Sequence, residues 1–194
     1  RGVRLAHDKA AALGAACAER NIALSVHAPY YISMSSLEED KRLHSIDYLL
    51  QSCALVKALG GRRVIFHSGS CGKQSREAAL EKALDTMERA VKACDEAGYG
   101  DCILCPETMG KVNQLGTLDE VLALCAVDSR ITPCIDFGTC TPAAAAHSLP
   151  RPLPPRITPP CSTHWPSGWA MTARYTFTRI FPALLTPRAE KNAT

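Results

Sequence analysis

The sequence predicts an α/β protein in which short buried strands alternate with helices, giving a parallel sheet with helical crossovers. Three observations predict it. Apolar runs of strand length recur every ~30–40 residues, the spacing of a (β/α)8 barrel or a doubly wound sheet. Segments of helical period, with recognisable caps and stops, lie between them. Finally, the strand-like runs end one after another on residues that can bind a metal or carry a proton. A chain of 194 residues that is 46% hydrophobic and 21% charged has the composition of a globular domain, neither disordered nor fibrous.

From Leu5 to Arg20 the chain is Ala-rich with apolar residues at helical spacing, and Asn21 punctuates it. Ile22-Ala-Leu-Ser-Val-His27 reads as a buried strand that stops at Ala28-Pro29. Ser36, with Glu39 three residues on, has the pattern of a capping box, and the helix it opens runs to Gly60-Gly61. Arg63 to His67 is the next strand, Ser75 to Ala97 the next helix with Gly98 as its stop, and Asp101 to Glu107 the following strand. Thr117 and Glu120 form a second capping box, and Ile131 to Asp136 reads as a fourth strand.

The formal charge of +3 is only mildly basic, so any nucleic-acid contact has to come from a local patch. No apolar run approaches the ~20 residues that span a bilayer, and Arg1-Gly-Val-Arg-Leu lacks the layout of a secretion signal, so a cytoplasmic location is expected. The ten cysteines are scattered through apolar runs and read as free thiols instead of a disulfide scaffold. Two motifs are rejected. Gly69-Ser-Cys-Gly72-Lys73-Gln74-Ser75 is not a phosphate loop, because Gln74 separates the Lys from the Ser. Cys102 and Cys105 have CxxC spacing, yet on a strand their side chains point to opposite faces.

His27, His67, Glu107 and Asp136 each close a strand-like run. In a parallel barrel such ends share one rim, so four residues distant in sequence converge. Two imidazoles and two carboxylates suit zinc or a similar divalent ion, and a carboxylate such as Glu107 can bridge two ions and hold a water between them. Any one of these side chains taken alone reads as an ordinary hydrogen-bonded residue. The repeated pattern favours a shared metal rim.

His27-Ala-Pro-Tyr-Tyr-Ile, Val64-Ile-Phe-His67-Ser-Gly-Ser, Cys105-Pro-Glu107-Thr, Asn113-Gln-Leu-Gly116-Thr and Pro133-Cys-Ile-Asp136-Phe-Gly138 together resemble the endonuclease IV family of xylose isomerase-like TIM barrels, over roughly residues 1 to 138. The resemblance implies a partial TIM (β/α) barrel that uses zinc to cut the phosphodiester on the 5′ side of an abasic site in double-stranded DNA. It implies that His27 and His67 bind one zinc, that Glu107 bridges two ions and is catalytic, and that Asp136 binds the second. By the same resemblance Tyr30 enters the DNA at the lesion, and Tyr31, Gly69 and Ser70 are expected to face the DNA with it; Lys73 reads as a DNA-backbone contact or a solvated charge. No membrane and no obligate protein partner are expected from the sequence. Ser68 stands where the family has Pro, and Thr139 where it has a ligand to a third zinc, so the chain carries ligands for at most two of the three ions expected. Arg76 reads as a DNA-backbone contact or a solvated charge. The same barrel also supports sugar isomerases and epimerases on a single Mn²⁺ or Mg²⁺, but the His-Ala-Pro-Tyr and His-x-Gly-Ser loops favour the nuclease. A third reading is a non-catalytic remnant.

After Gly138 the character changes, with ten of the thirteen prolines lying beyond it. Such density excludes helix and central strand, and residues 139–194 read as an irregular Pro-rich tail behind a 1–138 barrel segment. His147 and His164 receive no role. The genetic code gives an account of the break: Thr139-Cys-Thr-Pro-Ala143 read one base earlier permits His-Leu-His-Ala-Arg, a family-like continuation. The same shift applied to Thr178–Pro182 and Ala189–Thr194 permits further family-like segments, so the tail reads as out-of-frame translation. The family's first strand is expected ahead of Arg1, which leaves about half a barrel with open edges and a tendency to associate. Sequencing the coding DNA tests the frame reading. A single-base change near codon 138 is expected to open a longer barrel-like frame, and the absence of one refutes it.

Overall fold

A computed structural model describes residues 6–136. Within them the chain forms α1 (His7–Ala18), β1 (Ser25–His27), α2 (Glu39–Ala58), β2 (Arg63–Phe66), α3 (Arg76–Glu96), β3 (Ile103–Pro106) and α4 (Leu118–Cys125). The strands are parallel in the order β1-β2-β3, with Val26 opposite Val64 and Val64 opposite Leu104. Successive parallel strands joined by helices are the repeating unit of a barrel wall.

Alternation along the strands divides the side chains into two layers. Val64, Phe66 and Leu104 are buried, as are Leu49, Cys53 and Val56 of α2 and Ala83, Met87 and Ala90 of α3, and all belong to one hydrophobic core. His27, Ile65 and Cys105 stand in one register row with the opposite parity, so they face the other side of the sheet. The helix α1 packs against α2 at Gly14, where a Cβ would lie 2.5 Å from the Leu59 carbonyl oxygen.

Most of the expected element ends hold. Asn21 has a left-handed φ of 54° after α1, and α2 and α3 run out at Gly60 and Gly98. The Ser75 side chain accepts from the Ala78 N–H, and the Thr117–Glu120 capping box is complete. All eight cysteines among the described residues are free. Cys102 lies beside Cys53, whereas Cys105 Sγ is 3.4 Å from Thr132 Oγ1, so the two occupy different environments.

Three expectations are corrected. Ser36 does not cap α2. Its hydroxyl accepts from Glu38 N–H in a local turn at 3.1 Å, and the helix starts later with Glu38 as an N-cap that makes no side-chain bond. The first strand is shorter than Ile22–His27, because Ile22 is 49% exposed and its N–H closes the end of α1 on the Cys17 carbonyl. The fourth strand is not continuous. Residues 131–134 do run parallel to β3, through the bridges Leu104–Ile131 and Glu107–Cys134. Thr132 donates to Leu104 and Cys134 to Pro106, but Pro106 has no N–H with which to return a bond, and Pro133 has none either.

The loop between β3 and α4 is held from within. Glu120, only 7% exposed, accepts from the N–H groups of Gly116 (2.8 Å) and Thr117 (2.9 Å) and from Arg76 Nη2 (3.1 Å). Burial alone would raise its pKa, but Arg76 and the two N–H groups outweigh that and hold it below 4.5. A depressed folded pKa stabilises the fold above the unfolded value and loses that contribution as pH falls through the folded one. The Glu120→Gln variant is therefore expected to lose about 2–3 kcal/mol near pH 6, less than a fully buried pair because Arg76 is a third exposed. Denaturant midpoints measured from pH 6 to pH 3 should converge for the two proteins. Parallel curves would show that Glu120 is not responsible.

Candidate metal centre and its rim

His27 is the last residue of β1, and His67 and Glu107 directly follow β2 and β3. The β2–β3 register puts Phe66 opposite Pro106, and the Glu107 N–H donates to the Phe66 carbonyl at 2.9 Å, so pairing carries one residue past the strand. His67 and Glu107 consequently stand level at the C-terminal end of the sheet. His27 Nε2 and His67 Nε2 lie 3.0 and 3.1 Å from the same oxygen, Glu107 Oε2. The two imidazoles meet edge to face with centroids 4.9 Å apart.

This arrangement fits a bound cation. His27 Nδ1 donates to the Ala28 carbonyl at 2.8 Å, so in the neutral ring Nε2 carries a lone pair aimed at a carboxylate oxygen. Two acceptors facing each other need a positive charge between them, supplied either by a proton or by a metal ion. In the protonated case, the Glu107 hydrogen bond, working against burial, raises the His27 pKa above its ordinary value. Burial pushes Glu107 upward, but the two imidazoles outweigh it and bring its carboxyl down to about 2. Donor atoms of His27, His67 and Glu107 all lie within 4.8 Å of one another, a spread that one ion can bridge. Nδ1 of His67 and the hydroxyl of the fully buried Ser68 have no hydrogen-bond partner among the described residues.

Asp136 is not part of this cluster. Its backbone N–H donates to Thr108 Oγ1 at 2.9 Å, so it sits along the rim beside the residue that follows Glu107. Tyr30 leans edge-on over His67, with centroids 5.4 Å apart, and remains 58% exposed. Its hydroxyl accepts from Gln114 Nε2 at 3.0 Å, and Lys111 Nζ lies 5.9 Å from its ring centre. These two neighbours, Gln114 first, lower the Tyr30 pKa. Tyr31 is 61% exposed and its ring is 6.5 Å from Tyr48.

The loop after β2 is built into this rim. The Gly69 carbonyl accepts from Leu115 N–H, Ser70 Oγ donates to the Asn113 carbonyl, and the Ser70 carbonyl accepts from Ser35 Oγ. Lys73 is exposed and makes no ion pair among the described residues. Arg76, a third exposed, is folded inward onto Glu120 and the carbonyls of Val112 and Gln114. Gln114, Lys111 and Thr108 are rim residues that the strand-end pattern cannot signal, since they are set by loop contacts. Only the Asn113-Gln-Leu-Gly motif pointed toward that loop.

A parallel sheet with helical crossovers that carries two histidines and a glutamate at its C-terminal end has the arrangement in which (β/α) barrels place their functional residues. The xylose isomerase-like TIM barrel family model matches residues 1–151, and the chain belongs to that family. Among curated proteins it is 33% identical to an uncharacterized protein of Methanocaldococcus jannaschii over 118 residues, covering 61% of this chain and 42% of that one. It is 32% identical to a probable endonuclease 4 of Mycoplasma pneumoniae over 120 residues, covering 59% of this chain and 40% of the relative. Among solved structures, endonuclease IV from Thermus thermophilus superposes with a TM-score of 0.55 at 25% identity, covering 75% of this chain and 50% of that one. D-psicose 3-epimerase from Clostridium cellulolyticum gives 0.58 at 14% identity, with 70% and 50% covered, a likeness of fold alone. The chain thus spans about two-fifths of the length of these curated relatives. Among the described residues no helix is long and apolar enough to cross a membrane.

The donor set makes a direct prediction. Adding Zn²⁺ to the full chain is expected to raise its melting temperature, since a ligand bound only by the folded state stabilises it by mass action. Glu107→Gln and His67→Ala should each weaken the affinity by more than the ~10–100-fold typical of an outer-shell partner. An unchanged zinc titration in both variants would remove these residues from the site.

Proposed function

We propose that the site serves zinc-dependent hydrolysis of the DNA phosphodiester 5′ to an abasic site. The observation that carries the reading is Tyr30, an exposed aromatic ring standing edge-on to His67 at the mouth of the donor cluster. An abasic site leaves an emptied base position, and an aromatic ring that fills it gains stacking while aligning the adjacent phosphate with the donors. The sequence likeness to probable endonuclease 4 proteins supports the same reading.

In this reading His27, His67 and Glu107 would hold zinc, and Asp136, one step along the rim, would contribute to a second ion. Bound zinc supplies Lewis-acid polarisation of a phosphoryl oxygen and a water acidic enough to attack near neutral pH. The Ala28 carbonyl fixes the tautomer and direction of His27. Tyr30 excludes water from the lesion side, with Gln114 fixing its hydroxyl. Lys73 is exposed on the β2–α3 loop, where it provides a cation for the phosphate backbone.

A sugar epimerase using one divalent ion is the second reading. It is favoured by the size of the cluster, whose three donors suffice for a single ion, and by the shared fold with solved epimerases. Metal stoichiometry separates the two, with more than one zinc per chain expected for the nuclease and one ion for the epimerase.

The test is zinc-dependent binding and nicking of a labelled duplex carrying an abasic analogue, beside an intact duplex. The wild-type chain is expected to prefer the abasic duplex, and Tyr30→Ala to reduce that preference by about tenfold, within the ~1–3 kcal/mol of one stacked base. Equal binding to both duplexes by the wild-type chain overturns the proposal.

A further inference from the structure

We infer that Arg76 is a positioning residue that sets the ring of Tyr30 through the β3–α4 loop and Gln114. Arg76 is the first residue of α3, where a cation opposes the helix dipole. It is nevertheless turned inward. Nε and Nη2 fork onto the Glu120 carboxylate, Nη1 donates to the Val112 carbonyl at 2.7 Å and Nη2 to the Gln114 carbonyl at 2.7 Å. Glu120 in turn takes the N–H groups of Gly116 and Thr117. One ion pair therefore grips the loop from residue 112 to residue 117 by carbonyls on one side and amides on the other.

The gripped loop is the one that reaches the rim. Its Asn113 carbonyl accepts from Cys71 N–H at 2.9 Å and its Leu115 N–H donates to Gly69 at 3.0 Å, which fastens it to the β2–α3 loop. From there Gln114 extends its amide to the Tyr30 hydroxyl, and its Oε1 is buried without a partner, so the amide has a single job in this direction. Lys111 and the 91% exposed Val112 follow at the loop tip. The chain of contacts runs Arg76, Gln114 backbone, Gln114 side chain, Tyr30, and ends edge-on at His67. Only a guanidinium presents a planar fork together with a further N–H to two separate carbonyls, so lysine cannot reproduce the grip.

The inference rests on the proposed function only for what Tyr30 does, and its test uses no DNA. The full chain is labelled with ¹³C-tyrosine and observed by NMR, with and without Zn²⁺ alone, alongside amide hydrogen exchange. In Arg76→Gln the Tyr30 ring signal is expected to move toward its position in Gln114→Ala, and the Leu115 amide to exchange at least about tenfold faster. Tyr48 and Tyr99 should keep their signals, and the zinc-induced stabilisation should persist. Arg76→Lys is expected to shift Tyr30 in the same direction, and it decides the matter if Arg76→Gln does not fold. The inference is overturned if Tyr30 stays in place while Leu115 exchange rises, which assigns Arg76 to loop stability alone. It is also overturned if all the tyrosine signals move together, which indicates general loosening. Tyr30 shifting as expected in a chain that binds intact and abasic duplexes equally would uphold the positioning role and sink the nuclease reading.

Discussion

The structure depends on one constraint, the parallel register of three neighbouring strands. His27, Ile65 and Cys105 form one row across the sheet, and the next inward-facing positions on β2 and β3 are His67 and Glu107. A slip of one residue in either pairing would turn the histidine or the glutamate toward the helices and bring an apolar side chain to the rim. Register is held by the opposite face, where Val64, Phe66 and Leu104 must meet the helices. The core thus specifies the site largely from the opposite face of the sheet.

Electrostatics adds a second layer. His27, whose ring already gives its Nδ1–H to the Ala28 carbonyl, meets the Glu107 carboxylate oxygen through an accepting Nε2 unless a proton or a metal ion lies between them. The backbone carbonyl of Ala28 removes the alternative in which His27 turns its other nitrogen inward as a donor, because that nitrogen's partner position is already taken. The cluster therefore accommodates a positive charge, a proton or a metal ion, and the surrounding loops are fastened to each other by serine hydroxyls bonded to carbonyls as well as by the Arg76–Glu120 ion pair. Ser35, Ser70 and Asn113 supply the first of these fastenings.

What was legible in the sequence followed from periodicity and from chain ends. Apolar runs that stop at His27, His67 and Glu107 signalled both the strands and the chemistry, because in a parallel sheet the end of a strand is also its functional end. Thr117 was legible as a cap because its bonds are local. Ser36 carried the same local pattern as Thr117 and formed a different turn, which residue types at fixed offsets cannot distinguish. The broken pairing of residues 131–134 depends on Pro106 of the neighbouring strand as well as on Pro133, and the part played by Pro106 lies outside the segment itself. Arg76 was illegible for a similar reason, since its partners come from a loop more than thirty residues away in sequence. The tail beyond residue 136, with the proposed frame change and His147 and His164, lies outside the described residues.

Gly14 carries a lesson for anyone altering this scaffold. Scales of helix-forming tendency recommend alanine there, at a nominal gain of ~1 kcal/mol. The contact with Leu59 leaves no room for even a methyl group, so the change would wedge α1 away from α2. The missing carbon is a spacer of zero thickness that sets how closely the outer layer lies. Stabilising redesign guided by local statistics alone would prise that layer apart at the Gly14–Leu59 contact.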